Sequence, residues 1–280
     1  KKRRVGKTMT PPDAVKRFYE EYPYPQTQRL SNKKKQTYAE PLLTHSGIPK
    51  EKWKEYSLLD VGCGTGEIAC SLSTRMKRVH AVDQSRASLK IAREHARGMK
   101  LTTISFEEND LFQLKPVTPY DIVTCFGVLH HTSHPGKGFA HLAGMVAPEG
   151  WMVIGFYHAW GGLSQRVQKA LAQLFFGEDT EKKITWGSRK QQQDLNASRK
   201  AFWADRLAHP REYYERVSTM EKWFTQNGFT VTGIQSHKPS IFVQNPRSTI
   251  QKIRFELTLL VHQKRFVIMT GKKKATHHSN

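Results

Sequence analysis

The 280-residue chain is expected to fold as an α/β domain with a doubly wound, mostly parallel sheet. Two observations predict it. Between Leu58 and Phe156 short apolar runs alternate with helix-like segments, and the first run leads into a glycine-rich turn, "DVGCGTG", which a carboxylate, Asp83, answers at the end of the next run.

The apolar runs are "SLLDV" (57–61), "RVHAVD" (78–83), "DIVTCF" (121–126) and "WMVIGF" (151–156). They are continuous rather than alternating, as strands buried on both faces of a parallel sheet require. "TTISFEEND" (102–110) reads as a weaker strand ending in a loop. Residues 66–76 and 85–98 carry apolar positions at helical spacing, and in the second Ser85 suits an N-cap and Gly98 a C-cap. After Tyr157 the rhythm changes. Residues 163–176 predict an amphipathic helix and 178–216 a polar, helical or irregular stretch. Residues 218–235 predict a helix stopped by Gly228 and a strand from Phe229, and 254–271 one or two further strands. The expected organisation is a basic extension with a strap or lid (1–54), a cofactor-binding core (55–156), a helical insertion over the carboxyl edge of the sheet (157–217), the last part of the sheet (218–271) and a basic flexible tail (272–280).

The formal charge of +21 sits at the ends. Residues 1–54 hold 14 Lys and Arg against 5 Asp and Glu, and residues 238–280 hold 9 against 1; the middle holds 22 against 18. Such ends suit a phosphate-rich partner, RNA or a ribonucleoprotein, or else simply solvate the termini. No apolar run reaches the roughly 18 residues that span a bilayer, and "KKRRVGK" lacks the apolar stretch of a secretory signal. The chain therefore reads as intracellular, in the cytoplasm first. An organelle or the nucleus stays open because the sequence starts at Lys1 rather than Met, which implies a segment upstream. Cys63, Cys70 and Cys125 are too few for a disulfide scaffold and imply a reducing compartment; neither they nor the histidines show metal-ligand spacing, so no metal is expected.

Residues 58 to about 156 resemble the class I S-adenosylmethionine-dependent methyltransferases, whose D/E-x-G-x-G-x-G motif is matched by Asp60, Gly62, Gly64 and Gly66. The third glycine comes one residue too early for a nicotinamide fingerprint, and the turn lacks the Lys-Ser/Thr of a P-loop. The resemblance implies a seven-stranded-type sheet and S-adenosylmethionine as methyl donor. Asp60 and the turn Gly62, Cys63, Gly64, Thr65, Gly66 would face the donor's amino-acid end and sugar. Asp83, with Gln84 beside it, would hold the ribose, and Asn109, Asp110 and Leu111 the adenine. Phe126 and Gly127 open the loop facing the transferred methyl. Segments 17–26, with "YPYP", and 208–229, with His209-Pro210-Arg211-Glu212, are similar to a branch of that family carrying a Tyr-Pro-Tyr/Phe-Pro element.

Transfer from a sulfonium is an in-line displacement that needs alignment and exclusion of water more than covalent chemistry. If the acceptor loses a proton, His130 and His131 are the candidate bases; the alternative is that they shape the pocket wall. Tyr22 and Tyr24, His158 and Trp160 are candidate substrate contacts, against a packed strap and a packed rim. "CFGVLHH" stands where an "NPPY" signature would accompany exocyclic-amine or glutamine acceptors, which leaves ring atoms, hydroxyls, carboxylates and small molecules. The expectation is a methyltransferase acting on RNA or a ribonucleoprotein. The alternatives are a small-molecule methyltransferase and a basic RNA-binding assembly module with little turnover.

Overall fold

The computed structural model describes residues 11–24, 39–44, 46–115, 118–188, 196–236, 242–244 and 248–275. The basic run 1–10, the last five residues 276–280, and Pro25 of the "YPYP" segment lie outside the described residues.

Eight strands form one sheet: β1 Ser57–Val61, β2 Arg78–Asp83, β3 Ile104–Glu108, β4 Tyr120–Phe126, β5 Val146–Tyr157, β6 Phe229–Ser236, β7 Phe242–Gln244 and β8 Phe266–Lys273. Their spatial order is β3-β2-β1-β4-β5-β8-β6-β7. The first five are parallel to their neighbours, while β8 pairs antiparallel with both β5 and β6. Apart from the short edge strand β7, this is the seven-stranded, mostly parallel sheet expected. All five residues of β1 are buried, and they alternate between two cores: Leu59 and Val61 face one, Leu58 the other. Both faces of the central strands are therefore covered, which is why their sequences read as unbroken apolar runs.

The described helices are α1 Pro11–Glu21, α2 Glu40–Thr44, α3 Glu67–Ser73, α4 Arg86–Gly98, α5 Pro135–Ala143, α6 Leu163–Phe176, α7 Thr180–Ser188, α8 Ala197–Ala208, α9 Val217–Gln226 and α10 Thr249–Val261. Ser85 caps α4 as expected, its Oγ accepting from Ser88 N at 3.1 Å. Gly98 does not end it by a left-handed turn; Lys100 takes that conformation, with φ 55°. Lys100 N donates to Arg97 O and Leu101 N to Ala96 O, so the helix closes by a Schellman pattern one position later.

Residues 254–271 correct the expectation of strands alone, because most of the first half is α10. Phe255 and Leu259 recur at a spacing of four and are the buried apolar positions, a helical period that the β-branched neighbours obscured. β8 also runs through Lys273, and Lys272 is paired with Trp151, so residues 272 and 273, expected in a flexible tail, belong to the sheet.

The strap α1 is fastened at the top of the sheet. Glu20 accepts from Arg86 N (2.6 Å) and Ala87 N (3.3 Å), satisfying two open amides at the start of α4, and Ser85 Oγ donates to Tyr19 O at 3.2 Å. On its other side Phe18 and Tyr22 pack against Ile184, Ala201 and Ala204 of α7 and α8. We predict that Glu20→Ala lowers stability by about 1 kcal/mol, the usual loss for a removed helix cap, read as a lower urea midpoint at unchanged slope. An unchanged midpoint would mean that this cap does not hold the strap.

Candidate active site

A cavity of about 860 Å³ lies at the carboxyl ends of β1 to β4, beside the point where the strand order reverses. Ligands of open α/β sheets bind at this place, and the volume sits in the upper part of the roughly 300–1,000 Å³ range of ligand pockets.

The turn after β1 supplies one wall. Gly62 N and Cys63 N donate to Val82 O at 2.7 and 3.0 Å, and Gly64 N donates to Asp83 Oδ2 at 2.8 Å. Gly62, Gly64 and Gly66 have φ of 73°, 54° and 82°, where only glycine is comfortable. Two of these glycines are bare because of packing. A Cβ on Gly62 would come within 2.0 Å of Val128 Cγ2, and one on Gly66 within 2.8 Å of Ala92 Cβ.

Asp60 is buried in that wall. Thr124 Oγ1 donates to its Oδ1 at 2.7 Å, but Oδ2 is buried without a partner. Burial pushes its pKa up to about 7, with Asp83 adding repulsion and the Thr124 hydrogen bond opposing. An orphaned carboxylate oxygen in a cavity suits a ligand that brings a cation or an N–H. Asp83 lines the same space, and its Oδ1 accepts from Ser85 N at 2.8 Å; burial raises its pKa against these backbone bonds. Asn109 N donates to Asp83 O, and Asp110 caps the short 3₁₀ turn Leu111–Gln113 by accepting from Phe112 N at 2.7 Å.

The cavity gathers Asp60, Gly62, Cys63, Gly64, Asp83, Gln84, Asn109, Asp110, Leu111, Phe126 and Gly127, together with His131 and Tyr24. It does not include the other expected residues. Thr65 and Gly66 sit behind the turn, with Thr65 Oγ1 donating to Glu67 Oε2 at 2.6 Å. His130 is corrected as a candidate base: it is fully buried, stacks on Tyr157 at 3.8 Å, and neither ring nitrogen has a partner. Tyr22 packs in the strap and donates to Glu181 Oε1. His158 is also corrected as a substrate contact. It accepts from Gly161 N at Nδ1 and so donates from Nε2 to Glu256 Oε1 (3.2 Å), tying α10 to the end of β5. Burial works against the Glu256 charge, but His158, Arg216 and Val217 N hold its pKa down to about 2. Trp160 lies under Arg216, 4.6 Å from the ring centroid, and away from the cavity.

His131 remains. Its Nδ1 donates to Arg211 O at 2.7 Å, which leaves Nε2 as the acceptor, and burial lowers its pKa to about 4. The ring lies 3.6 Å from that of His209. Asp205 completes this cluster: one ligating atom from each of His131, Asp205 and His209 falls within 4.8 Å of the others. His131 lies far in sequence from the Asp205–His209 pair, so spacing could not reveal the trio. Asp205 is already bonded by Tyr19 Oη (3.0 Å) and Tyr157 Oη (3.4 Å), with Arg265 Nη2 at 3.8 Å. With two tyrosines on the carboxylate and a guanidinium beside it, the cluster acts as a hydrogen-bonded wall rather than a cation site.

Comparison with known proteins agrees with this geometry. Residues 58–150 match the family described as "Methyltransferase domain". These residues form a class I S-adenosylmethionine-dependent methyltransferase domain. The chain is 28% identical over 198 residues to an uncharacterized protein of Synechococcus, covering 63% of this chain and 48% of that one. It is 39% identical over 95 residues to a ubiquinone biosynthesis O-methyltransferase of Photobacterium profundum, covering 33% and 40%. The chain thus spans about half or less of the length of these curated relatives. Among solved structures, the fold resembles magnesium protoporphyrin IX methyltransferase of Synechocystis PCC 6803 with bound SAH (TM-score 0.54, 17% identity, covering 94% of this chain and 93% of that one). It also resembles PKMT2 of Rickettsia typhi (TM-score 0.64, 13% identity, covering 86% and 54%). No described helix is long and apolar enough to cross a membrane.

A pairing of Asp60 with the donor's amino group would make donor binding depend on pH. The pKa of Asp60 in the free protein is raised, so the ionised form that pairs with a cationic amino group is lost as pH falls through about 7. S-adenosylmethionine affinity is expected to fall by up to about tenfold per pH unit below 7 and to level off above it. Calorimetry at pH 5.5 to 8.5 checks this, and Asp60→Asn should bind weakly at every pH. A wild-type affinity flat across the range contradicts the role of Asp60.

Proposed function

We propose that the protein transfers a methyl group from S-adenosylmethionine to a small-molecule acceptor by in-line displacement. The observation that carries the reading is the single cavity in which the orphaned Asp60 carboxylate and the Asp83 carboxylate face one end while His131, Tyr19, Tyr24 and Tyr157 face the other. The donor supplies the electrophilic methyl group; the chain orients the reactants and excludes water. Asp60 and the Gly62–Gly64 amides would hold the amino-acid end, Asp83 the ribose, and Asp110 with Leu111 the adenine edge. The strap α1 and the helix α8 cover the acceptor end, because Tyr19 reaches across to Asp205.

This covering, and a relative named for ubiquinone biosynthesis, favour the small-molecule reading over the RNA acceptor suggested by charge alone. The intact carboxylates of the donor end favour turnover over a binding module. Incubation with methyl-labelled donor and fractionated cell extract should place label in solvent-extractable small solutes; label confined to RNA overturns the reading.

His131 presents an unprotonated Nε2 at neutral pH, so it would accept a hydrogen bond and thereby orient the acceptor. Misplacing a reactant by about 1 Å can lower rates by about 10²-fold. His131→Ala should lower turnover at least tenfold with donor affinity within twofold, whereas His130→Phe, which preserves the stack on Tyr157, should keep most activity. The reverse ranking would restore His130 as the proton acceptor.

A further inference from the structure

We propose that the methyl acceptor is a small organic oxyanion, a carboxylate or phosphate monoester, anchored by Arg265 at the end of the cavity opposite Asp60. The inference rests on the small-molecule reading and narrows its substrate class.

The cavity is polarised. Asp60, Glu67, Asp83 and Asp110 line the part built by the loops after β1, β2 and β3. Arg206, Arg211, Lys264 and Arg265 line the remainder, built by α8, the segment after it and the approach to β8, where Asp205 is the one acidic side chain among the lining residues. The acidic part suits a cationic sulfonium and amino group. The basic part has no such use for the donor; Asp205 and Glu212 act on the Arg265 charge, and a further anion would offset the remaining repulsion among four cations in one partly enclosed space.

Arg265 is the residue best placed to receive that anion. Its side chain is 19% exposed, it lies 4.3 Å from the Tyr157 ring centroid, and its Nη1 is buried without a hydrogen-bond partner. Its ion-pair contact, Nη2 to Asp205 Oδ2, is 3.8 Å long, beyond hydrogen-bond distance. The carboxylate of Asp205 is meanwhile taken by Tyr19 and Tyr157. A guanidinium is suited to paired contacts with a planar oxyanion, and burial makes each such contact stronger than at the surface. Tyr24, Tyr157 and Phe202 border the same space and would pack on the body of the acceptor. The low basicity of His131 fits an acceptor whose acid group arrives already ionised.

The test is calorimetry on the full chain saturated with S-adenosylhomocysteine. The probes are benzoate and 2-naphthoate, each beside its neutral amide, with phenyl phosphate and a single-stranded RNA oligonucleotide as further arms. At least one acid or phenyl phosphate should bind tenfold or more tightly than the matching neutral compound. Arg265→Gln should bring that ratio within twofold, and Arg265→Lys, which keeps the charge, should retain part of it. The acid and phosphate arms tell the two oxyanions apart. In protein that binds S-adenosylhomocysteine, acids no tighter than their amides together with phenyl phosphate no tighter than phenol overturn the proposal, as does displacement of the probes by RNA at lower concentration than any small anion. Failure of S-adenosylhomocysteine itself to bind is instead the failure of the methyl-donor reading.

Discussion

The carboxylate of Asp83 is the tie on which the site depends. One oxygen accepts from Gly64 N and the other from Ser85 N, each at 2.8 Å, so a single side chain fixes both the turn after β1 and the start of α4. Burying that charge is unfavourable, and the two backbone donors are what offset it. Because Ser85 also carries the strap through Tyr19 O, the same tie reaches the cover of the cavity. Loss of the carboxylate would therefore loosen the donor wall and the lid together.

The cavity joins two kinds of construction. Its donor wall is made of short loops between adjacent parallel strands, whose positions the sheet register sets within narrow limits. Its far wall is assembled from α1, α8, the segment around His209 and the residues before β8, which meet only through tertiary packing. Glu256 helps hold this second wall by bonding His158, Arg216 and Val217 N at once, joining α10 to the end of β5 and the start of α9. The first wall is lined by Asp60, Asp83 and Asp110, the far wall mainly by Arg206, Arg211, Lys264 and Arg265.

The first wall was legible in the sequence and the second was not, for a physical reason. Continuous apolar strands, the glycine spacing and a carboxylate closing β2 are local signals, and they located Asp60, Gly62, Gly64 and Asp83 at the cavity without any long-range information. The histidine pair was ambiguous because adjacent residues on a tight 3₁₀ turn point different ways; His131 faces the cavity while His130 is turned into the Tyr157 stack. Arg265 and Asp205 carried no signal, since neither belongs to a motif and each gains its meaning from residues far away in sequence. In α10, two buried positions four apart, Phe255 and Leu259, were hidden among Ile, Thr, Leu and Val residues that suit strands equally well.

The central claim is that the Gly62–Gly64 turn, Asp60 and Asp83 together hold a sulfonium nucleoside. A crystal structure with S-adenosylhomocysteine tests it most directly. The account predicts the ribose hydroxyls at Asp83, the amino group on the side of Asp60 Oδ2 and the sulfur directed toward His131. A ligand bound elsewhere, or one whose sugar makes no contact with Asp83, would contradict it.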